Sequence, residues 1–228
     1  MSAGGTRLTL VRHGETDWNL QRRIQGSTDV PLNETGRRQA RLAGEGIAGV
    51  GYSTIHSSPQ ARALETAGLI AAVAGLGEPD THYDLREREF GPAEGMTDRE
   101  IGLRFPHGIP GQETRDSVVE RALPVLLRLA ERHVGEAVLV VTHGAVISSI
   151  VRRLTAGERP APGEAVFNLS LSHFEVADGV LQLERFNVSA QALGRAAQGQ
   201  DADGLAGDSS PAVSLSSSSK AEADAPQV

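Results

Sequence analysis

No cysteine occurs anywhere in the 228 residues. Disulfides, thiolate metal ligands and a cysteine nucleophile are therefore excluded. Lysine is almost as scarce. The sole example is Lys220, so every Lys-or-Arg side chain before it is arginine. A P-loop needs a lysine after its glycines, which excludes a Walker-type nucleotide site. No apolar run reaches membrane-spanning length, and the longest, from Leu69 to Leu76, is broken at Gly75. Positive charge is not in excess: the net charge is −7. That balance argues against a nucleic-acid partner. Part of it is local, because Asp201, Asp203, Asp208, Glu222 and Asp224 stand against Lys220 after Gln198. The first residues, Met1 to Thr6, lack the basic and apolar leader of an export signal. The expectation is a soluble cytoplasmic protein with no membrane or nucleic-acid partner.

What is present is a regular alternation of apolar strands and amphipathic helices. Arg7 to Val11 reads as a first strand and Asn33 to Ala48 as a helix with Asn33 as N-cap. Tyr52 to Ser57 reads as a strand, with Ser58-Pro59 as N-cap and first residue of a helix reaching Ala74. Thr81 to Leu85 is a short extended segment, and Thr97 to Pro110 an excursion. A long helix over Glu113 to Val134 carries Pro124 as a candidate kink. Ala137 to Val141 is continuously apolar, as strands buried on both faces of a parallel sheet are, and a helix follows to Leu154. Phe167 to Val176 and Leu181 to Val188 are strands joined at Ala177-Asp178-Gly179, an Asp-Gly hairpin signal. Strands alternating with helices predict an α/β sandwich around a mostly parallel sheet. Residues 1–197 form one domain in this reading. Residues 198–228, dominated by Gly, Ala, Ser and Asp, form a disordered tail.

Three strand ends carry reactive groups: Arg12-His13-Gly14, Ser58 to Ala63 with Arg62, and Thr142-His143-Gly144. Ligands of open α/β sheets bind outside the carboxyl ends of the strands. Two histidines and two arginines are thus expected to converge in one cleft. The set suits a phosphate dianion. Arg12 and Arg62 balance charge, and backbone N–H groups near Gly14 and Gly144 can approach closely because glycine adds no side chain. A neutral imidazole is a competent nucleophile once an acceptor, such as a backbone carbonyl, holds its other nitrogen. The leaving alkoxide then needs a proton, for which Glu87 is the candidate. On composition and spacing alone, Glu89 and Glu94 are its equals. Arginine would replace the metal of other phosphoryl-transfer sites, so no metal or cofactor is expected. The remaining histidines, His56, His82, His107, His133 and His173, show no paired metal spacing and read as surface or core residues.

These motifs resemble the histidine phosphatase superfamily, or phosphoglycerate mutase-like family, over about Arg7 to Ser189. The resemblance rests on Leu-Val-Arg-His-Gly-Glu-Thr-Asp-Trp-Asn (10–19), Ser-Pro-x-x-Arg-Ala-x-x-Thr-Ala (58–67), Leu-Arg-Glu-x-x-Phe-Gly-x-x-Glu-Gly (85–95) and Val-Val-Thr-His-Gly (140–144). It implies a three-layer α/β/α sandwich and His13 as the phosphorylated nucleophile. It sets Arg12, Arg62 and His143 around the phosphate and selects Glu87 as proton donor. Asn19, Gln25, Gly26 and Gly144 become substrate contacts. The activity implied is that of a phosphomonoesterase of the histidine acid phosphatase type, acting on a small phosphorylated metabolite. The cap from Gly95 to Gly111 is short and lysine-free, and Phe90 stands where the mutases often carry tyrosine. Both favour a phosphatase over the alternatives, a phosphoglycerate mutase or a non-catalytic phosphate-binding member. Phe90 and Phe105 are candidates for an apolar wall and Arg86, Arg99 and Arg104 for a second anion contact, but each reads first as an ordinary packing or surface residue. Oligomeric state is open, with a homodimer one option.

Overall fold

The structure is a computed structural model that describes residues 4–190 and 192. The expected domain end at 197 and the tail after it lie outside the described residues.

Six strands form one sheet: β1 (Thr6–Arg12), β2 (Thr54–Ser57), β3 (Asp80–Thr81), β4 (Ala137–Thr142), β5 (Ser170–Ala177) and β6 (Val180–Ser189). Their spatial order is β3-β2-β4-β1-β5-β6. The first four of that order run parallel, while β5 is antiparallel to both β1 and β6. The helices are α1 (Asp17–Leu20), α2 (Glu34–Ile47), α3 (Ala61–Ala74), α4 (Asp98–Arg104), α5 (Arg115–Arg132) and α6 (Gly144–Leu154).

Side chains alternate across a strand, and here that alternation builds the layers. Leu8, Leu10, Val138 and Val140 pack against Val118, Leu126 and Leu129 of α5 and Ile147 and Ile150 of α6. Val11, Leu139, Val141 and Ile55 point the other way, onto Ala40 and Ile47 of α2 and Ala67 and Ile70 of α3. The expected three-layer sandwich with its mainly parallel sheet is therefore present. Every residue of β4 is buried, as its unbroken apolar run requires.

Local chemistry explains most boundaries. Asn33 accepts from the Gly36 N–H at 2.8 Å and starts α2. Thr114 caps α5 in the same way, accepting from the Ser117 N–H at 3.0 Å. Ala177 pairs with Val180 across Asp178 and Gly179, whose φ values of 52° and 74° suit a tight hairpin.

Some boundaries differ from expectation. Helix α3 starts at Ala61, not at Pro59, and Gln60 is its N-cap residue. Ser58 is instead drawn to His143, whose Nε2 lies 2.8 Å from its hydroxyl. The short extended segment expected over Thr81 to Leu85 opens on the end of the two-residue β3 and then forms a 3₁₀ turn over Tyr83–Leu85. Strand β5 begins at Ser170, because Phe167 lies 63% exposed in the loop before it. The excursion after Thr97 contains α4, opened by a capping box in which Thr97 and Glu100 bond reciprocally.

Candidate active site

The carboxyl ends of β1, β2 and β4 meet, and with them the residues the motifs singled out. A cavity of about 490 Å³ opens there, lined by Arg12, His13, Asn19, Gln25, Gly26, Glu87 and Gly144 among others.

His13 forms its base. It is 1% exposed, and its backbone N–H extends the β1 ladder by donating to the Thr142 carbonyl at 3.0 Å. Its Nδ1–H donates to the Gly14 carbonyl at 2.7 Å, which selects the tautomer with an unprotonated Nε2. Burial first, then the charges of Arg12 and Arg62, hold this imidazole well below its ordinary value, while the Gly14 carbonyl opposes them. His13 is therefore neutral, with a lone pair available for attack.

His143 stands beside it, with ring centroids 5.2 Å apart. It is fully buried and is likewise held well below its ordinary value, by burial first and then by Arg62 and the neighbouring His13. Its Nδ1 is buried and has no protein partner.

The two arginines are held differently. Arg12 donates from Nη1 to the Val166 carbonyl at 2.6 Å and lines the cavity. Arg62 is fully buried behind the wall and donates to the Gly26 and Thr28 carbonyls, both at 2.9 Å. Burial pulls both guanidinium groups down and Glu87 pushes them back up. Arginine keeps its charge through such shifts. The Nε atoms of both are buried without a partner.

The loop that holds Arg62 is itself clamped. Glu94 accepts from the backbone N–H groups of Ser27 (2.9 Å), Thr28 (3.0 Å) and Phe90 (3.2 Å), and from both hydroxyls. Burial alone would raise this carboxyl, but the bonds from Thr28, Ser27 and Phe90 outweigh it and hold it low. Glu94 is thus an ionised anchor. Gly26 must be glycine because its φ is +56° and a Cβ would collide with the Glu94 carboxylate. Glu89 lies half exposed and pairs with Arg86 at 3.6 Å. Of the compositional equals, Glu87 alone lines the cavity. One of its oxygens faces the Ala145 N–H at the start of α6, 3.4 Å away.

Asn19 lines the cavity too. Its Oδ1 accepts from the Thr16 N–H and hydroxyl, both at 3.2 Å, in the capping box of α1. Gln25 is buried with its Oε1 unpartnered.

Other expectations need correction. The Gly14 N–H does not face the cavity freely, because it donates to Thr66 Oγ1 at 3.0 Å. The missing side chain at Gly14 serves packing, since a Cβ would meet the Gly36 carbonyl at 2.7 Å. Phe90 lines the cavity and Phe105 does not. Arg86, Arg99 and Arg104 are absent from its wall, in keeping with their first reading as packing or surface residues. Arg86 sits over the Tyr83 ring and Arg104 over Phe105.

Several contributors had no motif to announce them. Arg23, Arg115, Ser148 and Arg152 line the cavity, as does the loop from Pro160 to Val166. Arg121 donates to the carbonyls of Asp84, Arg86 and Glu87 while paired with Glu113 at 2.6 Å, so it holds the Glu87 segment. Asn168 donates to the His13 carbonyl at 2.8 Å. Nothing short of tertiary contact marks these residues, because arginine is the ordinary base of this chain.

Among the described residues no group of three or more His, Asp or Glu side chains is arranged to hold a metal ion. His56 is 4% exposed and lies against the tilted rings of His82 and His133 at centroid distances of 5.2 and 5.8 Å, away from the cavity. No described helix is long and apolar enough to cross a membrane.

Comparison with known proteins agrees with this geometry. The pattern of the histidine phosphatase superfamily (branch 1) matches residues 8–189. The chain is 36% identical over 190 residues to an uncharacterized phosphatase, PhoE, of Bacillus subtilis, covering 83% of this chain and 98% of that one. The structure resembles a phosphoserine phosphatase variant from Entamoeba histolytica solved with phosphoserine. The TM-score is 0.70 and the identity 31%, over 82% of this chain and 99% of that one. It also resembles a phosphoglycerate mutase from Bacillus anthracis, with a TM-score of 0.73 and 26% identity, over 85% of this chain and 98% of that one.

Proposed function

The chain belongs to the histidine phosphatase superfamily, and from that premise we propose that it is a metal-independent phosphomonoesterase working through phosphohistidine at His13. The observation that carries the reading is the neutral, oriented imidazole: Nδ1–H fixed by the Gly14 carbonyl at 2.7 Å, in a cavity bordered by Arg12. A phosphoryl group delivered there meets a lone pair on Nε2. The N–P bond forms as the ester P–O bond breaks, and the alkoxide leaves with a proton from Glu87. Arg12 and Arg62 offset the charge on the transferring oxygens, and the neutral His143 ring offers an N–H hydrogen bond to one of them. Water then attacks phosphorus, Glu87 takes its proton, and inorganic phosphate departs with His13 again neutral. Asn19, Gln25, Gly26 and Gly144 border the substrate in this scheme.

The depressed His13 keeps a neutral nucleophile into the acidic range, as the acid-phosphatase type of this chemistry requires. Phosphatase names among the relatives support hydrolysis. The likeness to a mutase favours a second reading, transfer back to a hydroxyl.

The test is p-nitrophenyl phosphate turnover in EDTA. Wild type should turn over, and His13→Ala should lose activity by at least ~10³-fold, as loss of a covalent nucleophile does. No wild-type turnover, or full turnover by His13→Ala, would overturn the reading. Isomerisation of 3-phosphoglycerate without net phosphate release would instead select the mutase.

A further inference from the structure

The outer half of the cavity is bordered by α5 at its first residue and α6 in its last turn. Each helix brings two consecutive charged residues, Arg115-Asp116 and Arg152-Arg153. The outward members neutralise each other, Arg153 donating to Asp116 Oδ1 at 2.7 Å. The inward members, Arg115 and Arg152, both line the cavity. Neither forms an ion pair among the described residues. Arg115 donates only to hydroxyls, that of Ser148 at 3.1 Å and that of Ser149 at 3.4 Å.

The two feel each other. Burial first, and then the charge of Arg152, pulls Arg115 down, with Glu87 opposing. The other carboxylate on the cavity wall is engaged: Glu164 accepts from the Ala161 N–H at 2.8 Å and lies 3.5 Å from Arg159. Like charges brought together in a concave site repel one another unless an anion joins them. The same two helices show that a carboxylate was available, because Asp116 sits one residue from Arg115 and turns outward.

We propose that Arg115 and Arg152 form a second anion subsite, Arg115 held in place by the Ser148 hydroxyl, whose own proton goes to the Ala145 carbonyl at 3.2 Å. The substrate is then a phosphomonoester with a further acidic group, a carboxylate or a second phosphate, beyond the reacting ester. The inference rests on the His13 end being the phosphoryl site and adds the chemical class of what lies beyond it. Arginine's planar fork suits either group.

The deciding experiment is calorimetry on the full-length His13→Ala chain, so that binding is read apart from turnover. 3-Phosphoglycerate offers a carboxylate, fructose 1,6-bisphosphate a second phosphate, and glycerol 3-phosphate neither. At least one acidic ester should bind about tenfold tighter than glycerol 3-phosphate, and which one does so names the group. In Arg115→Gln/Arg152→Gln that advantage should shrink to within about twofold, and in Arg115→Lys/Arg152→Lys most of it should return. Equal affinity for the three esters, or an advantage that survives the glutamine pair, would overturn the proposal. Should the pair fail to fold, the exposed Arg152→Gln alone carries the same comparison. Failure of the phosphatase reading appears elsewhere, as absent p-nitrophenyl phosphate turnover by wild type. In an active background, the variants should lose kcat/KM on the preferred acidic ester about tenfold more than on p-nitrophenyl phosphate. An equal loss on both would indicate a structural role only.

Discussion

Gly14 and Thr66 are 52 residues apart in sequence and joined by one buried hydrogen bond of 3.0 Å. Thr66 also donates to the Arg62 carbonyl at 2.6 Å, so a single hydroxyl ties the loop after His13 to the helix that carries Arg62. Thr66→Val keeps the shape and leaves the Gly14 N–H without an acceptor. The expected cost is about 1–3 kcal/mol of stability, measured by urea denaturation. A fall in kcat should accompany it, because His13 is oriented through the adjacent Gly14 carbonyl. The histidines and Arg62 were legible from motifs because each follows a strand end. Thr66 also lay within the Ser58–Ala67 motif, yet its bond to Gly14 was not, since a hydroxyl on a helix has many roles open to it. The Gly14 N–H is the instructive failure. A glycine beside His13 suggested an amide facing the cavity, whereas packing against Gly36 and the bond to Thr66 explain the residue.

Among the elements, α5 runs unbroken from Arg115 to Arg132 with Pro124 inside it. Proline there removes the donor that would serve the carbonyl four residues before it. The position is exposed, so no packing requires the ring. Pro124→Ala should stabilise the protein by about 2 kcal/mol, the helix-interior penalty less the entropy that proline removes from the unfolded chain. A higher denaturation midpoint would verify it, and an unchanged or lower one would show that the helix accommodates the ring at no cost. Strand and helix identity was readable from periodicity, but several ends were not. Ser58-Pro59 has the composition of a helix start, yet β4 delivers His143 to within 2.8 Å of the Ser58 hydroxyl, and α3 starts two residues later. Local preference lost there to a contact across 85 residues.

Taken whole, the molecule buries several histidines in neutral form. His13 and His143 are held well below 6.5, and His56 and His173 are each lowered to about 4, mainly by burial. Above 6.5 these groups are neutral in both folded and unfolded chains. As pH falls from 6.5 towards 4, the unfolded chain binds protons that the folded chain refuses, so stability must fall across that window. Thermal midpoints should drop between pH 7 and pH 5, and the drop should be smaller in His56→Gln. A flat profile would contradict the burial of these rings.

The sequence alone determined the fold class and named the residues that the proposed chemistry uses at one end of the cavity. A continuously apolar strand flanked by helical segments fits a parallel sheet covered on both faces, and such a sheet brings its strand ends, with His13 and His143, to one edge. The separation of roles among equal residues was decided by tertiary structure. Glu87 borders the cavity and Glu94 anchors a loop, although composition made them equivalent. Arg115 and Arg152 face the cavity while Arg153 pairs outward, although nothing in their neighbours distinguished them. Charge and reactivity belong to residue types, but direction belongs to the packing of helices separated by many residues. That is why His13 was legible early and the far wall of its cavity only in three dimensions.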